Sequence, residues 1–297
     1  MGVEDILCVS VSLWPSLTIT QIEMKMRLDT YLARSGLSAS REKARAEILS
    51  GWVRVNGETV RDPSRSLKGD EEIAVERPGG LFVSRGGEKL RRALDEFRID
   101  LSGKTAVDLG ASTGGFTDCM LKAGAKKVYA VDVGYGQLDY SLQSDPRVVV
   151  MDRTNARNLA GGDIPEPVDF VTMDLSFISV LKVFDAVTRL FAPASGVMLI
   201  KPQFEAEKSE QKKGVVRKKE NHLAILSRVI EGLMGKGMAL LGLTPSPIKG
   251  PAGNIEFLCH FSLALHEAGI SAKEAGLVIQ KAVNLAHDIG IKKTGSV

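Results

Sequence analysis

The stretch TAVDLGASTGGF, residues 105–116, decides the fold, because an apolar strand leads directly into a glycine-rich loop and then into a helix. Glycine lets the backbone approach a ligand closely, and open α/β sheets bind ligands beyond the carboxyl ends of their strands. We therefore predict a ligand-binding loop here. Its predicted binding residues are Gly110, Ser112, Thr113, Gly114, Gly115 and Phe116.

Further apolar strands alternate with helical stretches after this loop. The predicted strands are residues 106–109, 128–131, 148–151, 170–173 and 197–200. Such alternation is typical of an α/β fold with a doubly wound, mostly parallel sheet. We predict a Rossmann-like domain of this type.

Acidic residues at the strand ends indicate which ligand the loop binds. Asp108 lies within the first strand, where a carboxylate would repel a pyrophosphate but attract a methionine ammonium. Asp132 ends the next strand, from which an acid can bind both hydroxyls of a ribose. Asp152, after the third strand, either reaches an adenine amino group or serves a surface turn. This pattern favours S-adenosylmethionine over NAD as the cofactor.

Candidate catalytic residues lie at the same sheet edge. The fourth and fifth strands end at Asp174 and Lys201, and Glu256 joins them if the last strand is antiparallel. Lys89 lies on the helix before the first strand. Lys89, Asp174 and Glu256 each have a plainer reading as a solvated, capping or turn residue. Lys201 follows an apolar strand, where a lysine is expected to have a partner or a task. Methylation of carbon five of a pyrimidine ordinarily needs a cysteine near the end of the fourth strand, and methylation of an amino group often goes with an Asn/Asp-Pro-Pro-aromatic signature there. The sequence has neither at that place, so a hydroxyl group remains as the methyl acceptor.

The N-terminal region predicts a small α+β domain over residues 26–76. Two short amphipathic helices precede a hairpin signalled by Asn56-Gly57. Nine Lys/Arg against five Asp/Glu between Met26 and Gly69 indicate either a solvated helix face or an RNA-binding surface. The candidate RNA-binding residues are Arg27, Arg34, Arg41, Lys43, Arg45 and Arg54.

Residues 27–75 resemble the RNA-binding domain first described in ribosomal protein S-four. The whole of residues 27–266 resembles the TlyA family, called hemolysin-like, whose catalytic half is similar to the FtsJ ribose methyltransferases. The motifs that carry this resemblance are SRGGEKL (84–90), DLGASTGGFTD (108–118), DVGYGQL (132–138), DLSFIS (174–179), IKPQFE (200–205) and GPAGNIEF (250–257).

The resemblance implies 2′-O-methylation of ribosomal RNA, usually at a cytidine, with ribosomal RNA or ribosomal subunits as partners. It also implies that Lys89, Asp174, Lys201 and Glu256 form a catalytic tetrad. In our hypothesis Lys201 takes the proton of the 2′-hydroxyl, Asp174 orients Lys201, and Lys89 and Glu256 hold the ribose. A segment rich in both charges, residues 205–220, is either a solvated loop or an RNA-gripping lid.

The length of 297 residues suits one small and one large domain. We predict a disordered extension at 1–25, the RNA-binding domain at 26–76, a linker at 77–83, the methyltransferase domain at 84–268 and a helical segment at 269–297. The three cysteines form no CxxC pair, so we expect no zinc site, no disulfide and a cytoplasmic setting.

Two other functions stay open at this point. One is a non-catalytic RNA-binding or ribosome-assembly factor that has kept the methyltransferase fold. The other is a hemolysin, which is disfavoured because no segment offers the roughly 18 apolar residues that cross a membrane.

Overall fold

A computed structural model of the chain describes residues 26–49, 51–75, 81–264 and 269–292. The predicted extension and residues 77–80 of the predicted linker lie outside the described residues. The chain divides into two units, Met1–Glu76 and Arg77–Val297, and each is described by itself.

The described part of the first unit contains two helices and five short strands. In chain order these are β1 (Met26–Arg27), α1 (Leu28–Arg34), α2 (Arg41–Leu49), β2 (Val53–Val55), β3 (Glu58–Val60), β4 (Ser66–Leu67) and β5 (Ile73–Val75). β2 pairs antiparallel with both β3 and β5. Asn56 and Gly57 have φ angles of 53° and 80°, which suits the two-residue hairpin turn predicted there. The helices pack on this sheet through a small core that includes Leu32, Ile48 and Val53.

The second unit contains a seven-stranded sheet flanked by helices. Its elements are α3 (Gly86–Phe97), β6 (Thr105–Leu109), α4 (Gly115–Lys122), β7 (Lys127–Val131), α5 (Tyr140–Gln143), β8 (Val148–Met151), β9 (Phe170–Met173), α6 (Leu181–Phe191), β10 (Ser195–Ile200), α7 (Pro202–Glu205), α8 (Lys219–Gly235), β11 (Ala239–Pro245), β12 (Phe257–Ser262) and α9 (Ala272–Lys292).

The strand order is β11-β12-β10-β9-β6-β7-β8. β12 runs antiparallel to both of its neighbours, whereas the pairs that join β10 through β8 are parallel. This topology confirms the predicted α/β fold with a Rossmann-like, mostly parallel sheet. It also confirms that the last strand, β12, is antiparallel.

The strand register brings the candidate site residues to one edge of the sheet. Met173 on β9 lies opposite Leu109 on β6, and Ile200 on β10 lies opposite Phe257 on β12. Asp174 and Lys201 therefore leave their strands at the edge where β12 begins, immediately after Glu256. Because β12 is antiparallel, Glu256, just before its start, lies at the same sheet edge as Asp174 and Lys201, which follow the ends of their strands.

Alternate side chains of each strand enter two different hydrophobic cores. Val107 and Leu109 belong to one core, and Ala106 belongs to the other. This alternation is what a sheet covered by helices on both faces requires. α9 contributes Ile279 and Val283 to the first core, so this helix packs as part of the second unit. None of the helices in the described part of the chain is long and apolar enough to span a membrane.

Candidate active site

The glycine-rich loop lies tightly against the end of β9. Gly110 has a φ of 88°, and a Cβ atom built on it would lie 2.7 Å from the carbonyl oxygen of Asp174. Only glycine combines this backbone conformation with this close approach. Gly114, with a φ of 93°, then precedes the first turn of α4. The loop therefore leaves the sheet edge accessible to a ligand.

Asp108 lies beneath this loop and is fully buried. Its two carboxylate oxygens accept hydrogen bonds from Thr117 Oγ1 at 2.7 Å and from Thr172 Oγ1 at 2.8 Å. Burial raises the pKa of Asp108 to about 6, although both hydroxyl groups oppose the shift. The carboxylate thus connects β6, α4 and β9 from below.

A cavity of about 500 Å³ opens at the carboxyl ends of β6, β7, β8 and β9. Cavities of this size hold small-molecule ligands and cofactors. Its lining combines polar residues (Gly110, Ser112, Asp132, Gln137, Thr154, Asn155, Asp174 and Ser176) with apolar ones (Val131, Val133, Ala156, Leu175, Phe177, Ile178 and Val183). Four of the predicted site residues, Gly110, Ser112, Asp132 and Asp174, therefore share this cavity.

Asp132 joins two loops at the cavity wall. Its Oδ2 accepts the backbone N–H of Ser112 at 2.8 Å, and its Oδ1 accepts that of Gly134 at 2.7 Å. A carboxylate offers about four acceptor positions, so Asp132 retains capacity for ligand hydroxyls. Asp152 accepts the N–H of Gly136 at 2.9 Å and does not line the cavity.

Besides Asp152, five of the predicted cofactor residues do not line the cavity, namely Asp108, Thr113, Gly114, Gly115 and Phe116. A Cβ on Gly115 would lie 2.8 Å from the backbone nitrogen of Gly87. This glycine is therefore required by the close packing of α4 on α3. Phe116 is buried in the second core.

The Lys201 ammonium is held next to the cavity by an ion pair with a carboxylate and by a hydrogen bond to a hydroxyl group. Lys201 Nζ lies 2.7 Å from Asp174 Oδ1 and donates to Ser176 Oγ at 2.8 Å. It also lies 5.9 Å from the centre of the Phe204 ring. The side chain is buried, so the predicted pairing of a buried lysine with a carboxylate is present in the structure. Of the two residues in this ion pair, Asp174 is the one that lines the cavity.

Lys89 and Glu256 form a second ion pair, with Lys89 Nζ 2.6 Å from Glu256 Oε2. Both residues are buried, whereas the neighbouring Arg91 and Arg92 are exposed, so Lys89 does not belong to the solvated face of α3. Glu256 Oε1 accepts no hydrogen bond from the residues that the structure describes. A Cβ on Gly250 would overlap this oxygen, so glycine is needed where the preceding loop passes Glu256.

Two residues beside this site were not predicted from the sequence. Ser176 contacts Lys201, and Phe177 is 91% exposed at the cavity mouth with a φ of 64°. The Phe177 ring lies 5.1 Å from that of Phe204. The motif after β9 signals a polar and an aromatic residue there, but only the loop conformation shows where they point.

In the first unit, a buried carboxylate organises part of the predicted RNA-binding surface. Asp29 accepts hydrogen bonds from Arg27 at 2.9 and 3.1 Å, and it lies 3.4 Å from Arg41 Nε. These contacts, the Arg27 hydrogen bonds foremost, lower the pKa of Asp29 to about 2. Both arginines stay about half exposed. Of the other predicted residues, Lys43 is half-buried, and the exposed ones are Arg34, Arg45 and Arg54.

Comparison with known proteins agrees with this architecture. Residues 82–263 match the FtsJ-like methyltransferase family, and residues 26–73 match the S4 domain. Hemolysin A of Brachyspira hyodysenteriae is 44% identical over 242 residues, which cover 80% of this chain and 99% of that protein. The 16S/23S rRNA (cytidine-2′-O)-methyltransferase TlyA of Mycobacterium tuberculosis H37Rv is 38% identical over 263 residues, which cover 88% and 98% respectively.

A solved structure of a hemolysin-named protein from Streptococcus thermophilus has a TM-score of 0.71 and 35% sequence identity, and the match covers 92% of this chain and 99% of that one. These relatives match nearly their full length, across both units. The chain therefore belongs to the FtsJ-like methyltransferase family, within the TlyA group that joins an S4 domain to this catalytic fold.

Proposed function

We propose that the chain transfers a methyl group from S-adenosylmethionine to the 2′-hydroxyl of a cytidine in ribosomal RNA. The observation that carries this proposal is the ion pair of Lys201 and Asp174, in which Asp174 also lines the cavity. The name of the M. tuberculosis relative describes that protein as a cytidine 2′-O-methyltransferase of 16S and 23S ribosomal RNA. A ribosomal substrate implies activity in the cytoplasm, where ribosomes work.

The cavity fits S-adenosylmethionine by size and by chemistry. Gly110 gives the ligand close access to the sheet edge, and Asp132 offers acceptor positions for ribose hydroxyls. Aliphatic side chains such as Val133 and Leu175 line the same space and can contact a flat adenine ring. When bound there, the cofactor would supply an electrophilic methyl group on a sulfonium.

In this proposal Lys201 removes the proton of the ribose hydroxyl. For this step Lys201 would first release one proton to solvent. Its amine would then take the hydroxyl proton as the ribose oxygen bonds to the methyl group and the bond between that methyl and the cofactor sulfur breaks, which leaves a neutral thioether. Asp174 and Ser176 hold Nζ in place, which reduces the reorganisation that the step requires.

In this proposal Lys89 and Glu256 hold the ribose. Glu256 Oε1 lacks a hydrogen-bond donor among the described residues, so it can accept one from a second ribose hydroxyl. Lys89 fixes the other carboxylate oxygen and balances its charge. Asp108 acts indirectly in this proposal, because its carboxylate joins α4 and β9, which flank the site, through Thr117 and Thr172.

Isotope-labelled S-adenosylmethionine tests the proposal when it is incubated separately with small subunits, large subunits, whole ribosomes and free ribosomal RNA. We expect incorporation into RNA, mapped to the 2′-oxygen of a cytidine. Lys201→Ala should abolish incorporation with cofactor affinity nearly unchanged, whereas Lys126→Ala, at the amino end of β7, should retain activity. Label on a base atom would overturn the assignment. No incorporation into any RNA would favour a non-catalytic assembly factor.

A further inference from the structure

One group of exposed cations lies next to Glu256 and has no role in the reaction described above. It comprises five residues of the segment 206–218 and one residue of the loop before Glu256, and we call it the basic rim: Lys208, Lys212, Lys213, Arg217, Lys218 and Lys249. All six side chains are exposed, and none forms an ion pair within the described ranges.

The acidic residues of the same segment do not neutralise the basic rim. Glu210 forms an ion pair with Arg228 on α8 at 2.8 Å. Glu210 foremost, and Glu207 to a smaller degree, raise the pKa of Arg228. The Glu210 carboxylate is therefore directed towards α8, and Glu207 forms no ion pair with the basic rim within the described ranges, so the cations face solvent.

The segment is held in place rather than loosely solvated. Asn254 is buried; its Oδ1 accepts the N–H of Val216 at 3.2 Å, and its Nδ2 donates to the carbonyl of Gly214 at 3.0 Å. Val215 and Val216 are buried as well. Because the backbone is already ordered, a ligand that binds the cations loses less conformational entropy on binding.

The same asparagine connects the basic rim to the catalytic group. Asn254 lies two residues before Glu256, and the backbone oxygen of Glu256 accepts the N–H of Ser246 at 2.8 Å. Lys249 and Gly250 belong to the loop between these residues, and Gly250 packs against the Glu256 carboxylate. The loop that carries Lys249 thus packs on Glu256, and Asn254, two residues before Glu256, anchors the segment that carries the other cations, whereas the cofactor cavity borders Asp174.

We infer that the basic rim binds the phosphate backbone of the substrate RNA next to the nucleotide that is methylated. The inference rests on the proposed function, since it takes RNA as the substrate. A polyanion is the partner that a fixed row of exposed, unpaired cations fits. Phosphate contacts carry no base specificity, so the basic rim sets the position of the strand and not the choice of base.

The test compares two full-length variants that each lose three positive charges. The first is Lys212→Ala/Lys213→Ala/Arg217→Ala. The control is Lys104→Ala/Lys126→Ala/Arg189→Ala. These residues lie near the amino ends of the parallel strands, at the sheet edge opposite to the site. Binding to free ribosomal RNA and to isolated ribosomal subunits is measured over a range of salt concentrations, together with cofactor affinity, thermal unfolding and methylation.

We expect the first variant to bind free RNA about tenfold more weakly at physiological salt. The slope of log affinity against log salt concentration should become shallower by about two. KM for RNA should rise while kcat at saturating RNA and cofactor affinity stay unchanged, and the control should match the parent chain. Equal RNA affinities and slopes for the two variants would overturn the inference.

Loss of binding to subunits without loss of binding to free RNA would also overturn it, since it would indicate a protein partner. Lys212→Glu serves as a second variant and should weaken RNA binding further than Lys212→Ala. Absence of methylation by the parent chain would contradict the proposed function instead, and the binding measurements would still decide on the basic rim.

Discussion

Lys89 and Glu256 lie 167 positions apart in the chain and form a buried ion pair whose nitrogen and oxygen are 2.6 Å apart. The pair links α3 to the start of β12. A buried charge that loses its partner is strongly destabilising, whereas a well-packed apolar pair in the same place is often tolerated.

Removal of one member of this pair should therefore destabilise the second unit more than removal of both. We expect Lys89→Met to lower the free energy of unfolding by about 3 kcal/mol or more, and the double variant Lys89→Met/Glu256→Leu to recover most of that loss. Urea unfolding followed by circular dichroism measures both. Arg91→Met, which breaks the exposed Arg91–Asp95 pair on the same helix, is the control and should change little. Equal losses in the single and double variants would contradict this expectation.

Ser176 should act as a positioning residue for Lys201. Its hydroxyl accepts a hydrogen bond from Lys201 Nζ, which also forms the ion pair with Asp174. We expect Ser176→Ala to lower kcat by about tenfold, with KM for RNA and cofactor affinity unchanged, because a hydrogen bond to a charged group contributes about 1.5 kcal/mol. Ser176→Thr keeps a hydroxyl and should restore most of the activity. Ser179→Ala, a hydroxyl of the same loop that does not contact Lys201, should behave like the parent chain.

The strands and the strand-end residues could be predicted because parallel strands impose a simple geometry. Every apolar run that was predicted as a strand is one, and the residues after β9 and β10 follow from strand direction alone. The position of Glu256 depended on a single further fact, the antiparallel direction of β12, and the register of Ile200 with Phe257 supplies it.

The contributions of Ser176 and Phe177 could not be predicted, because both lie on a loop whose path depends on local backbone angles. Phe177 has a φ of 64°, a conformation that sequence patterns for aromatic residues do not signal. The hydrogen-bond partners of Asp108 could not be predicted either. Its place near a strand end was evident from the sequence, but the two threonines that bind its carboxylate come from α4 and β9, which are distant in the chain from each other.

Gly110 should be needed for cofactor binding because of the atom that it faces. A methyl group at this position would lie 2.7 Å from the Asp174 carbonyl oxygen and would push the loop away from β9. We expect Gly110→Ala to weaken S-adenosylmethionine binding at least about tenfold in calorimetry. Gly103→Ala is a matched control, since Gly103 also has a positive φ, of 70°, but no atom within 4 Å of the built Cβ. Similar cofactor affinities in the two variants would show that the close approach is not required.

Stability should respond to pH through two buried groups that act in opposite directions. His222 on α8 is buried against Phe257 and lies 3.1 Å from a ring nitrogen of His287 on α9. Burial, and then the neighbouring His287, lower the pKa of His222 to about 4. The unfolded chain therefore binds the His222 proton between about pH 6.5 and pH 4 while the folded chain does not, so this group removes stability as the pH falls through that window.

Asp108 has the opposite effect. Its folded pKa of about 6 lies above the unfolded value near 3.8, so the folded chain binds the proton first and gains stability as the pH falls from about 6 to 4. Each shift corresponds to about 3 kcal/mol at most, and in the parent chain the two contributions largely cancel between pH 6 and pH 4.

Single substitutions should separate the two contributions. Relative to the parent chain, Asp108→Asn should lose stability more steeply when the pH is lowered from 7 to 4.5, whereas His222→Gln should lose less or gain stability. Urea unfolding at a series of pH values, followed by circular dichroism, measures the free energy of unfolding of each variant. Parallel curves for the parent chain and both variants would show that neither group has a perturbed pKa in the folded protein.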